Sequence, residues 1–152
     1  MLWTPEILAQ AARGEILSGD RSAPVGKIST DTRKIAPGDC FIALAGENHD
    51  GHAFVESAVA KGAGTVVVSR WEGPVPASCA VIRVADTLDA LGEIARFHRL
   101  RFDIPVIAVS GSNGKTSTKE MIAAIFAQSR KVLKNSGNFN NLVGLPLTLL
   151  EL

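Results

Sequence analysis

The chain has 152 residues, 46% of them hydrophobic and 20% charged, and its 16 basic and 15 acidic residues leave a net charge of +1. This balance excludes a disordered chain, which needs low hydrophobicity and high net charge. It also excludes a broad nucleic-acid or anionic-membrane footprint, for which there is no surplus of positive charge.

Apolar runs stay shorter than the roughly 18–20 residues of a membrane span. The opening MLWTPEILAQ lacks the basic and apolar regions of a signal peptide. A cytoplasmic protein of one domain or two small ones is therefore expected. Thr4 and Pro5 read as the cap and first turn of a helix that Gly14 ends. After the loop SGDRSAPVG come two short extended segments, 27–29 and 40–44, around the polar turn TDTRKIAPGD. Asp50 is placed to cap a helix over 52–61, with Phe54, Val55, Ala58 and Val59 on one face and Gly62 just past its end. TVVVS at 65–69 is β-branched and reads as a buried strand, and 80–84 reads as another. Asp86 caps an amphipathic helix whose stripe is Leu88, Leu91, Ala95, His98 and Phe102. IPVIAVS then reads as a strand of a parallel sheet, followed by a glycine loop, a helix over 116–129 and a strand at 131–133. Cys40 and Cys79 lack disulfide or zinc spacing and are expected as buried free thiols.

The texture changes near 84–86. Residues 1–85 are expected to form a small α/β unit. Residues 86–152 are expected to begin a doubly wound P-loop nucleotide fold. That second part is expected to be a fragment, because one and a half βαβ units cannot cover both faces of a parallel sheet.

The strongest chemical signal is VIAVSGSNGKTST at 106–118. Gly111 and Gly114 permit backbone conformations that let successive N–H groups converge on a phosphate. The following helix N-terminus adds positive potential there. Lys115 supplies a mobile charge for the β- and γ-phosphates, and the Thr116 hydroxyl is placed to ligate magnesium. The general P-loop pattern would require glycine at position 109, which is Val109. The loop is therefore a shortened one that opens at Gly111.

SGSNGKTSTKEM resembles the ATP loop of the Mur ligases, which build the peptide stem of bacterial peptidoglycan. STDTRKIAPGDCFIAL at 29–44 is similar to the family's uridine-nucleotide-binding start. GENHDGHAFVESAVAKGA at 46–63 matches the segment after it. NSGNFNNLVGLPLTLL at 135–150 resembles the segment after the ATP loop. Its NFNN form favours the member that adds D-alanyl-D-alanine to a UDP-muramoyl tripeptide. The resemblance implies an acyl phosphate, made from ATP and magnesium and attacked by the D-alanyl-D-alanine amine. It implies small-molecule partners only, no nucleic acid and a monomer. ATP would be held by Gly111, Ser112, Asn113, Gly114, Lys115, Thr116 and Ser117, with Lys115 catalytic and Thr116 a metal ligand. Ser29, Thr30, Asp31, Thr32 and Arg33 would lie near the uridine diphosphate, and Asn138, Asn140 and Asn141 would face the substrate.

Other readings stand beside these. The turn at 29–33 suits a polar turn with Asp31 as cap and Arg33 in a surface ion pair. The asparagines suit turn conformations. His49 and His52 fit a capping segment around Asp50, His98 a packed stripe, and Lys119 and Glu120 structural roles. Trp3 and Trp71 fit packing or a ligand platform equally. At the level of the whole chain, the alternatives are the preceding muramoyl-peptide ligase, a non-catalytic UDP-sugar or nucleotide module and an unrelated P-loop NTPase. Ligase activity is not expected of these 152 residues alone.

Overall fold

A computed structural model describes residues 2–46, 50–74, 77–137 and 139–152. The chain forms two compact units, one ending at Ile94 and one beginning at Ala95. The first unit is built on a five-stranded sheet. Helix α1 (Pro5–Ala12) starts as the sequence predicts, with Thr4 Oγ1 accepting from the Ile7 N–H at 3.3 Å and Pro5 in the first turn. It ends differently. Arg13, not Gly14, takes the left-handed conformation (φ 55°, ψ 38°), and its N–H bonds back to the Ala9 and Gln10 carbonyls. Gly14 is required by packing instead, since a Cβ there would lie 2.8 Å from the Arg83 carbonyl oxygen and from a Val84 methyl.

The strands are β1 (Glu15–Ser18), β2 (Ile28–Ser29), β3 (Cys40–Ile42), β4 (Thr65–Val68) and β5 (Ala80–Arg83), in the order β1-β5-β4-β3-β2. β2 to β5 run parallel, and β1 closes the far edge antiparallel to β5. Sequence reading finds the four parallel strands and misses β1, whose four residues are mostly exposed and carry no alternation. Between β3 and β4 the chain makes a 3₁₀ turn (Gly51–Phe54) and α2 (Val55–Ala60), where one helix over 52–61 is expected. Asp50 caps this segment as predicted, its Oδ1 accepting from the His52 N–H at 3.0 Å.

The two-residue period of the strands divides the core. Phe41, Val66, Val68 and Val81 join Val55 and Ala58 of α2 in one buried cluster, with Ile35, Val59 and Trp71 packed against it. Ile42, Val67 and Ile82 point the other way and are also fully buried, as is Leu8 of α1. Each fully buried Val or Ile contributes roughly 1.5–3 kcal/mol relative to exposure, so these two faces carry most of the unit's stability. Cys40 and Cys79 are free and buried as expected, and burial raises both thiols, Cys79 to about 11.

Asp86 opens α3 (Thr87–Arg99), its Oδ1 accepting from Leu88 and Asp89 at 2.7 and 2.9 Å. Ala90, Leu91 and Ile94 are buried in the part of α3 that belongs to the first unit.

The second unit holds the end of α3, α4 (Lys115–Ala127) and α5 (Gly144–Leu149). His98 packs edge-on to Phe102 with ring centroids 5.0 Å apart, and burial lowers its pKa. Arg99 holds the next turn by donating to the Phe102 and Ile104 carbonyls at 2.6 and 2.8 Å. The expected strands at 106–110 and 131–133 do not form ladders. A parallel strand takes its hydrogen bonds from a neighbour, and neither segment is paired. Val106 and Ile107 consequently stand more than half exposed.

Replacing Gly14 by Ala drives a methyl into the β5 backbone and is expected to destabilise the first unit by about 1–3 kcal/mol. A lowered urea midpoint checks this, and an unchanged midpoint contradicts the close approach.

Candidate functional site

Because β2 to β5 are parallel, the segments leaving β2, β3, β4 and β5 all emerge at one edge of the sheet. In open α/β sheets this is the edge where ligands bind. The turn leaving β2 carries the predicted substrate residues. Ser29 Oγ accepts from the Asp31 N–H at 3.0 Å and donates to the Asp31 carbonyl at 3.2 Å. Asp31 caps a 3₁₀ turn (Thr32–Lys34), accepting from the Arg33 N–H at 3.0 Å. The Arg33 guanidinium grips the same carboxylate with two bonds, at 2.9 and 2.8 Å. These bonds, the side-chain ones first, hold the Asp31 carboxyl down to about 2. Thr30 and Thr32 are half-buried beside them, while Arg33 is exposed. The local alternative, a capped turn with an ion pair, is therefore what the free chain adopts. It leaves Arg33 at the surface, with its two-pronged donor face committed to Asp31.

The segments after β3 and β4 are joined through His52. A backbone N–H can only donate, so the Ser69 N–H at 3.0 Å makes Nε2 of His52 an acceptor and leaves the proton on Nδ1, 2.6 Å from Asp50 Oδ1. Ser69 Oγ lies 3.1 Å from the same Nε2, and Arg70 pairs with the other Asp50 oxygen. The Ser–His–Asp spacing imitates a nucleophilic triad. The Nε2 lone pair is already taken by the Ser69 N–H, and His52 is buried, so the group serves as a tie between two loops. This bears out the capping role for His52. His49 lies outside the described residues.

Trp71 packs against the cluster under α2, and Trp3 bridges to Val25 at the start of the chain. Among the described residues no group of three or more His, Cys, Asp or Glu side chains is arranged to hold a metal. No helix among them is long and apolar enough to cross a membrane.

The glycine loop lies in the second unit. Gly111 (φ 147°) and Gly114 (φ 76°) both adopt the conformations that side chains disfavour. Gly114 precedes α4 directly, and no side chain caps the helix. The N–H groups of Lys115, Thr116 and Ser117 therefore begin a helix without a capping oxygen, an arrangement that suits an anion. Lys115 folds back to the Gly111 carbonyl. Ser112, Asn113, Thr116 and Ser117 are exposed.

One turn further on, Lys119 donates to the Asn135 carbonyl at 2.7 Å, and Glu120 pairs with Lys134 and Lys119. Those lysines hold the Glu120 carboxyl below its ordinary range. Both residues have structural roles, as expected. Asn141 is partly consumed by structure, its Oδ1 accepting from the Val143 and Gly144 N–H groups at 3.2 and 2.7 Å at the start of α5. Asn140 is exposed, and Asn138 lies outside the described residues. Sequence reasoning missed the long-range ties of Asp39, Lys61 and Arg70. The one local signal for them was an acidic residue standing directly before the apolar run at 40–44.

Comparison with known proteins identifies the family. Residues 24–99 match the catalytic domain of the Mur ligase family, and residues 109–152 match the Mur ligase middle domain. The chain belongs to the Mur ligase family. It is 48% identical over 128 residues to the UDP-N-acetylmuramoyl-tripeptide–D-alanyl-D-alanine ligase of Synechocystis sp., a match covering 84% of this chain and 28% of that protein. Crystallographic MurF from Acinetobacter baumannii superposes with a TM-score of 0.90 at 40% identity, covering 100% of this chain and 33% of that one. MurF from Thermotoga maritima in complex with ADP superposes with a TM-score of 0.74 at 32% identity, covering 82% of this chain and 28% of that one. The chain thus spans about a third or less of the proteins it matches.

The Asp31 carboxyl is held low in the folded chain, so its pairing with Arg33 is present above the ordinary carboxyl range and is lost as pH falls through about 2. An NMR titration is expected to place the Asp31 midpoint well below 3.8, and Arg33→Ala is expected to raise it. A wild-type midpoint at the ordinary value contradicts the pairing.

Proposed function

We propose that the chain forms the uridine-nucleotide-binding and ATP-phosphate-binding parts of a monomeric, cytoplasmic, ATP-dependent ligase. That enzyme joins D-alanyl-D-alanine to a UDP-N-acetylmuramoyl tripeptide in peptidoglycan precursor synthesis. Residues 1–85 are the substrate part, and residues 86–152 begin the ATP part. The observation that carries the proposal is the uncapped start of α4, where Gly111 and Gly114 at positive φ stand beside Lys115. The 48% identity to the Synechocystis ligase and the likeness to the ADP-bound Thermotoga enzyme support it.

On this reading the N–H groups from Gly111 through Ser117 receive phosphate oxygens. Lys115 exchanges the Gly111 carbonyl for the β- and γ-phosphates. It steadies their charge while the γ-phosphoryl group passes to the peptide carboxylate. The D-alanyl-D-alanine amine then attacks the acyl phosphate, an amide forms and phosphate leaves. Thr116, exposed at the start of α4, would be the residue whose hydroxyl holds magnesium. When bound, the ion neutralises phosphate charge. Ser29, Thr30, Asp31, Thr32 and Arg33 hold the uridine diphosphate, with the Arg33 fork matched to a phosphate. Asn140 and Asn141 contact the substrate, Asn141 through its amide nitrogen because its oxygen accepts from the Val143 and Gly144 N–H groups, and Asn138 is assigned with them from its place in the sequence alone.

Calorimetric titration with magnesium and a non-hydrolysable ATP analogue tests the phosphate loop. Lys115→Ala is expected to weaken binding by about tenfold or more, as loss of a charge-assisted bond does. Equal affinity of the variant and the wild type contradicts the assignment.

A further inference from the structure

The substrate turn is fastened from two directions by residues that lie outside it. Asp39 stands directly before β3 and is only 6% exposed. Its Oδ1 accepts from the Lys27 N–H at 2.8 Å, where the chain enters β2, and its Oδ2 accepts from the Ala36 N–H at 2.9 Å, where the turn returns. One carboxylate therefore ties the returning end of the loop to the entry of β2, the strand from which the loop departs. Gly26 leaves it the space, since a Cβ there would lie 2.4 Å from Oδ1. The bonds from Gly26 N–H to the Gly38 carbonyl (2.9 Å) and from Cys40 N–H to the Lys27 carbonyl (2.8 Å) run alongside. At the crest, Lys61 reaches back from the end of α2 and donates to the Thr32 carbonyl at 2.9 Å. Beneath it the Gly38 N–H donates to the Gly62 carbonyl at 2.8 Å, so the end of α2 also supports the base of the turn.

The two clamps differ in kind. Asp39 is buried, so its bonds are also structural. Lys61 is exposed, and the Thr32 carbonyl can be solvated without it. Ordering a long lysine side chain for one exposed bond adds little stability. Its effect is to fix the direction of the Thr32 peptide, between Asp31 and Arg33.

We propose that Asp39 and Lys61 are positioning residues of the uridine-nucleotide turn: Asp39 fixes its returning end against the entry of β2 and Lys61 sets the orientation of its crest, so that Ser29, Thr30 and Arg33 meet a diphosphate already arranged. This rests on the reading of residues 29–33 as the uridine diphosphate site.

The test is calorimetric titration of the chain with UDP-N-acetylmuramoyl tripeptide, with the urea midpoint of every variant measured beside it. Lys61→Ala is expected to weaken binding about threefold to tenfold at an unchanged midpoint, with Lys61→Arg restoring most of the loss. Asp39→Asn, whose amide can accept only one of the two N–H bonds, is expected to weaken binding by more than about tenfold. The ATP analogue, read on the same variants, is expected to bind as in the wild type. A stably folded Lys61→Ala chain that binds the uridine nucleotide as the wild type does, while Arg33→Ala loses it, overturns the positioning role alone. Absence of wild-type binding, or an Arg33→Ala variant that binds normally, overturns the substrate reading and the positioning role with it.

Discussion

Parallel pairing of β2 to β5 is the constraint on which the rest of the first unit depends. It sends every strand's carboxyl end to one edge and forces each return connection to cross a face of the sheet. α2 makes such a crossing between β3 and β4 and buries Val55 and Ala58 as it does so. Its last residue stands where Lys61 can reach the turn after β2. The polar ties follow from the same arrangement. His52 joins the segments after β3 and β4 at that edge, and Asp39, at the amino ends of β2 and β3, ties those two strands and the returning loop together.

Legibility in the sequence follows the range of the interaction. Thr4, Asp31, Asp50 and Asp86 announce caps because a cap is made with a backbone N–H two or three residues away, and all four cap as read. The β-branched run at 65–69 shows because burial on both faces needs apolar side chains at every position. The glycine loop shows because glycine adopts positive φ most readily. The clip made by Asp39 and the reach of Lys61 did not show, since Asp39 bonds Lys27 12 residues away as well as its near neighbour Ala36, and Lys61 bonds Thr32 29 residues away. The apolar run at 106–110 misled for the opposite reason. Its composition suits a buried strand, but strand pairing is a property of two segments.

On the proposed function the chain presents two chemically different surfaces to phosphate. The glycine loop offers backbone N–H groups and one lysine, with little side-chain selectivity. The turn at 29–33 offers hydroxyls and a guanidinium whose planar fork is already engaged by Asp31. An exposed pair of this kind adds little to stability. Its consequence is for binding. An anion that takes the Arg33 fork displaces a carboxylate and gains the difference, which favours a doubly charged diphosphate over a single carboxylate. The two surfaces therefore suit different ligands, in keeping with the proposed uridine-nucleotide and ATP sites.

That separation is most directly examined by amide chemical-shift mapping of the ¹⁵N-labelled chain, titrated separately with UDP-N-acetylmuramoyl tripeptide and with magnesium and a non-hydrolysable ATP analogue. The uridine nucleotide is predicted to move the amides of residues 29–33, and the ATP analogue those of residues 111–117, with no overlap between the two sets. Movement of the same residues by both ligands, or of neither set, would contradict a chain built from two distinct nucleotide sites.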